Sequence, residues 1–172
     1  MNAVLDLLEI VSKMSRTEAL NRLQATLGYR FRNINLLQEA LTHDSNRVND
    51  RTAPTYQRLE FLGDSVLNLA VSDHIYRTHP EFTEGQLTDE RRRLTEGQNQ
   101  RRIAERLNLR DYIAFGQSVN REQFLGYHNF VESLIGAVYI DGGFDAAKQV
   151  IHRLWESNNL AAPAAAASCV IS

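Results

Sequence analysis

Apolar residues recur at helical spacing along most of the chain, and no stretch alternates with the period of two that marks a half-buried strand. Residues 3–13 read as an amphipathic helix through Val4, Leu5, Leu8 and Val11. Ser15, with Glu18 three residues on, forms a capping-box start for a second helix that Gly28 ends. A third helix is predicted from Ile34 to His43. The polar stretch from Asp44 to Pro54 reads as a loop. A long helix is expected over Tyr56–Thr78. The tetrapeptide Thr-Glu-Gly-Gln occurs at 83–86 and again at 95–98, and each copy fits a capping box opening a helix. Asn108–Phe115 reads as a short connection holding about one helical turn. Arg121–Asp141 is predicted as a long helix halted by Gly142-Gly143, and Phe144–Ser157 as the last one. From Asn158 onward the chain is alanine-rich and of low complexity, which predicts disorder. The pattern gives an all-α fold: a helical extension over 1–19, one domain over 20–157 and a tail over 158–172.

Composition narrows the function classes. With 43% hydrophobic residues among 172, one domain can bury a core without staples. A net charge of −2 argues against a protein that holds nucleic acid by bulk charge, so any such partner must meet a local basic patch. The single cysteine, Cys169, excludes an internal disulfide and fits a reducing compartment. The apolar runs are too short to span a bilayer, and Asp6 and Glu9 interrupt the N-terminal apolar stretch as no signal peptide would allow. A cytoplasmic location is expected.

The chemistry concentrates in two helices. In Leu59-Glu60-Phe61-Leu62-Gly63-Asp64-Ser65-Val66-Leu67, helical spacing puts Gln57, Glu60 and Asp64 on one face, among residues that are otherwise largely apolar. A second segment, Asn129-Phe130-Val131-Glu132-Ser133-Leu134-Ile135-Gly136, places Asn129 and Glu132 one turn apart on an almost wholly apolar helix. Ionised carboxylates in such surroundings need a cation or donors. Two readings stay open on this evidence: a hard-cation site of oxygen ligands if the helices pack together, or buried acids paired with some of the many arginines.

These residues carry a resemblance. QRLEFLGDSVLNL, at 57–69, is similar to the ribonuclease III signature, whose usual form is E-R-L-E-F-L-G-D-[SA]-[VI]-L. RLQATLGYRFRNINLLQEALTHDS resembles that family's N-terminal helices, including an ALTHxS element with His43. EGQLTDERRRLT and VESLIGAVYIDGGF resemble two later helices. The resemblance covers residues 20–157 and implies the helical, homodimeric fold of the family's endonuclease domain. It places metal-binding acids at Glu60, Asp64 and Glu132, with Asp64 and Glu132 the catalytic pair, and a further acid at Glu84. Gln57 stands where the signature begins with Glu, and Asn129 where Asp is usual, so each removes a negative charge from the site.

The activity implied is Mg²⁺-dependent hydrolysis of double-stranded RNA, with Mn²⁺ as a substitute metal. It would leave 5′-phosphate and 3′-hydroxyl ends. Subunits of the family pair through the signature helix, which assigns Phe61 and Leu62 partly to a dimer seam, although ordinary core would also account for them. The family's longer members continue into a double-stranded-RNA-binding domain, for which the tail here is too short. RNA contact would then fall to Arg91, Arg92, Arg93, Arg101, Arg102 and Arg106. A solvated helix face paired with Asp89, Glu90, Glu96 and Glu105 is the alternative for those arginines. The terminal Cys169-Val170-Ile171-Ser172 matches a prenylation box, so membrane association is expected only if Cys169 is prenylated; otherwise the tail is inert. The competing function is a catalytically weakened or inactive relative kept for RNA binding or as a ribosome-associated protein, with Gln57 and Asn129 as traces of decay.

Overall fold

The computed structural model describes residues 16–47 and 52–155, and these are helical apart from turns, 3₁₀ segments and one isolated bridge. The first described helix, α1, covers residues 16–27 and ends at Gly28, which takes a left-handed φ of 70°. Then follow α2 (Ile34–Ala40), α3 (Tyr56–Thr78), α4 (Glu84–Thr95), α5 (Gly97–Arg106) and α6 (Asn129–Trp155). The expected helix over 3–13, the Ser15 cap and the tail with Cys169 lie outside the described residues. Among the described residues, no helix is long and apolar enough to cross a membrane.

α3 and α6 form the centre. α3 buries Tyr56, Leu59, Val66, Leu67, Val71 and Ile75 on one face. The first limb of α6 is buried almost all round through Phe130, Val131, Leu134, Ile135 and Val138, as expected of a helix enclosed by others. Gly143 (φ 82°) breaks α6 into limbs over 129–142 and 144–155, in a conformation that glycine adopts without strain. Asp141, at the end of the first limb, accepts from the backbone N–H groups of Arg32 and Asn33 and from the Tyr29 hydroxyl. That clasp ties the chain before α2 to α6.

Three boundaries depart from the expectations. α2 ends at Ala40 rather than His43, because Thr42 bridges Ala114 and His43 instead caps a 3₁₀ turn over Asp44–Asn46. The first Thr-Glu-Gly-Gln copy is a full capping box at α4. The second is not: Thr95 is the last residue of α4 and returns its hydroxyl to Arg91 O, while Glu96 takes the N-cap of α5 without a side-chain bond. The predicted helix from Arg121 begins only at Asn129. Before it, Phe124 and Tyr127 are drawn into a ring cluster with Phe115 and His43, and a 3₁₀ turn covers Gly126–His128.

Candidate active site

The crossing of α3 and α6 creates the site. A Cβ added to Gly63 would lie 1.8 Å from the Glu132 carbonyl oxygen, and one on Gly136 would lie 2.1 Å from that of Leu59. The two backbones therefore touch, and only glycine fits at either position. That contact sets Glu60 and Asp64, one turn apart on α3, beside Glu132 on α6. The three carboxyls interact electrostatically: Asp64 and Glu60 each act on Glu132, and Asp64 acts on Glu60.

Burial pushes the Glu132 carboxyl up to about 7, and the negative charges of Asp64 and Glu60 add to the rise against the opposing Gln100 hydrogen bond. Burial also raises Glu60, helped by Asp44 and then Asp64. The acids are less enclosed than the sequence pattern implies. Glu60 and Glu132 are half-buried, and Asp64 is exposed, with its carboxylate accepting from Asn68 Nδ2 at 2.9 Å. They line an open edge of the helix crossing rather than the core.

Among the described residues no three His, Cys, Asp or Glu side chains already gather their donors round one point. The donor chemistry still fits a hard cation, since every group is an oxygen ligand and Mg²⁺ keeps several waters while using few carboxylates. The like-charged trio, two of its members partly desolvated, gains what a cation supplies.

The two amides face elsewhere. Asn129 and Gln57 lie against the hydroxyl of Tyr56, a buried ring stacked on Phe130 at 4.4 Å. Two residues beside the acids went unmarked in the sequence. Asp44 acts on Glu60 while held by Arg47 (3.5 Å) and by the Thr55 hydroxyl (2.5 Å). Gln100 of α5 donates to Glu132 Oε1 at 2.7 Å. Gln100 lies with Ile103 and Ala104 among the buried residues of α5, where an amide needs a partner.

His43 is part of the frame. Its Nδ1 accepts from Ser45 N, and Ser45 Oγ accepts from Gly116 N, joining the ALTHDS element to the segment before α6.

The remaining candidates are dispersed. Glu84 opens α4, accepts from the Thr88 hydroxyl at 2.9 Å and lines a cleft of about 430 Å³ with Leu69, Tyr76 and Arg91. Arg92 pairs with Asp89 and Arg93 with Glu90, which is the solvated-face alternative for both. Arg106 donates to the Leu154 carbonyl, and Arg102 lies 3.4 Å from Asn99 Oδ1. Arg101 is exposed on α5 next to Gln100, close enough for its charge to act on His128. Arg101 shares a pocket with Glu105, Asn108 and Tyr127 rather than with the three acids.

Comparison with known proteins gives this helix arrangement its class. The chain superposes on the nuclease domain of ribonuclease III from Campylobacter jejuni with a TM-score of 0.70 at 36% identity, covering 80% of this chain and 96% of that one. That work concerned structural flexibility in a region involved in dimer formation. A family model described as Ribonuclease-III-like matches residues 33–157. Ribonuclease 3 of Magnetococcus marinus is 42% identical over 146 residues, 79% of this chain and 59% of that protein. Ribonuclease 3 of Syntrophotalea carbinolica is 43% identical over 139 residues, 77% and 60% respectively. The chain belongs to the ribonuclease III family, and it spans about three fifths of the length of these relatives.

Proposed function

We propose that the chain is a metal-dependent endoribonuclease domain that hydrolyses double-stranded RNA to 5′-phosphate and 3′-hydroxyl ends, acting as a homodimer. The observation that carries this is Glu132, a carboxyl pushed up to about 7 beside two more acids at a glycine-tight helix crossing. Such a cluster is costly by itself and is relieved by a divalent cation, Mg²⁺ or Mn²⁺. Glu60, Asp64 and Glu132 would hold it, with Asn129 a neutral oxygen donor if its amide turns from Tyr56. A cation bound there supplies positive charge at the scissile phosphate and lowers the pKa of water.

The other residues orient the acids. Asn68 fixes Asp64, Gln100 holds Glu132, and the Gly63–Gly136 contact sets the distance between the two helices. Arg101, exposed on α5 next to Gln100, is the arginine we assign to a phosphate contact, one that weakens as salt rises. Duplex RNA presents phosphates and 2′-hydroxyls to such a surface, with little base sequence to read.

The test is incubation of long duplex RNA, and of the same strand unpaired, with Mg²⁺ or Mn²⁺ and gel analysis of the products. Shortening of the duplex alone is expected. An intact duplex under both metals, with RNA still bound, would instead identify the domain as a non-catalytic relative weakened at Gln57 and Asn129.

A further inference from the structure

Gln100 is 3% exposed, yet its side chain carries four hydrogen-bonding positions into the interior. Its Nε2 donates to Glu132 Oε1 at 2.7 Å and to the Thr95 carbonyl, the last of α4, at 3.0 Å. Both N–H groups are thereby used. Its Oε1 is buried and has no partner among the described residues. A buried acceptor left without a donor costs about 1–3 kcal/mol, so an apolar residue of similar size would serve simple packing better.

The neighbouring amide shows what a purely structural role looks like here. Asn99, also buried, spends its Nδ2 on the carbonyls of Arg93 and Leu94 and closes the end of α4. Gln100 repeats that closure once and spends its other proton on the acid of α6. It is the residue through which the end of α4 and the start of α5 hold one carboxylate oxygen of Glu132 in place.

Resting on the metal-site reading above, we infer that Gln100 is a positioning residue for the cation. Its N–H fixes the Glu132 carboxylate, and its orphan Oε1 accepts from solvent carried by the hydrated ion. Residues that orient a metal ligand in this way typically contribute 10–100-fold to metal affinity.

The experiment is Mn²⁺ titration of the RNA-free protein, by calorimetry or by the loss of free-Mn²⁺ paramagnetic resonance signal, with a thermal melt of each variant. Gln100→Leu, and Gln100→Met should the first fail to fold, are expected to weaken Mn²⁺ binding at least tenfold while melting no lower than Asn99→Ala, since each removes a single carbonyl contact at the end of α4. Asn99→Ala is expected to melt lower and to bind Mn²⁺ as the wild type does. Glu132→Gln in the same series separates the two levels of the inference. Loss of binding in Glu132→Gln, with full affinity in both Gln100 variants, overturns the positioning role alone. Wild-type protein that binds no Mn²⁺, or whose binding survives Glu132→Gln, overturns the metal site and with it the role of Gln100.

Discussion

A carboxyl raised to about 7 destabilises the fold at neutral pH when no positive charge accompanies it, and Glu132 is such a group. Because its folded pKa lies above the unfolded value, its favourable contribution is complete below about pH 4.5 and is lost as pH rises through about 7. Glu132→Gln keeps an oxygen for Gln100 and removes the charge. In chelator, the variant should match the wild type at pH 4.5 and exceed it at pH 8. The expected gain is on the order of 1 kcal/mol, reduced for the part of the carboxyl that solvent reaches, or roughly 2–4 °C in Tm. Added Mn²⁺ should reverse the order by stabilising only the wild type. A difference that does not change between pH 4.5 and pH 8 would remove the strained-carboxyl account.

Asn129 is the second residue where charge decides. Asn129→Asp restores a negative charge at the start of α6, and the metal concentration for half-maximal cleavage should fall. About 1.4 kcal/mol of added attraction corresponds to about tenfold in affinity. An unchanged metal requirement would mean that the position, turned toward Tyr56, never reaches the cation. The acids themselves were legible in sequence from their spacing on two apolar helices. Gln100 and Asp44 were not singled out, because an amide or acid earns meaning there only once α5 and the ALTHDS turn are placed against α6 and α3.

At the scale of elements, the long helix α3 was readable to the residue because its apolar positions keep helical spacing from Tyr56 to Ile75. The start of α6 was not. Phe124 and Tyr127 mimic the next apolar turn of a helix, but their rings pack round His43 and Phe115, contacts more than 70 residues away in sequence for His43, which period alone cannot show. The second Thr-Glu-Gly-Gln copy failed for a related reason. Asn99, Gln100 and Trp155 take up the carbonyls of Arg93, Leu94 and Thr95, so α4 ends where a new helix was expected to cap itself. The crossing of α3 with α6 is the element-level feature on which the site depends. Gly63→Ala puts a methyl into the Glu132 carbonyl and must push the helices apart. It should cost about 3 kcal/mol or more, seen as a lower urea midpoint, and should abolish cleavage even under conditions where the protein remains folded. Wild-type stability in that variant would show that the helices do not touch at this point.

Over the whole molecule, α3 has two apolar faces, and only one is used. Phe61, Leu69 and Tyr76 fall on the other and are 79%, 58% and 71% exposed, whereas Leu62 turns partly into the core. A monomer gains nothing from that stripe, and a second copy would bury it. Phe61→Glu should therefore convert a dimer into a species near 19.6 kDa in light scattering; a wild type already at that mass at micromolar concentration would contradict the dimer. The central claim, that Asp64 and Glu132 hold the cation that cuts duplex RNA, meets its most direct test in one gel. Wild-type protein, Asp64→Ala and Glu132→Ala are incubated with long duplex RNA and Mg²⁺, with and without chelator. The prediction is fragmentation by the wild type with metal only, and none by either variant although both remain folded. Fragmentation that persists in both alanine variants would contradict it.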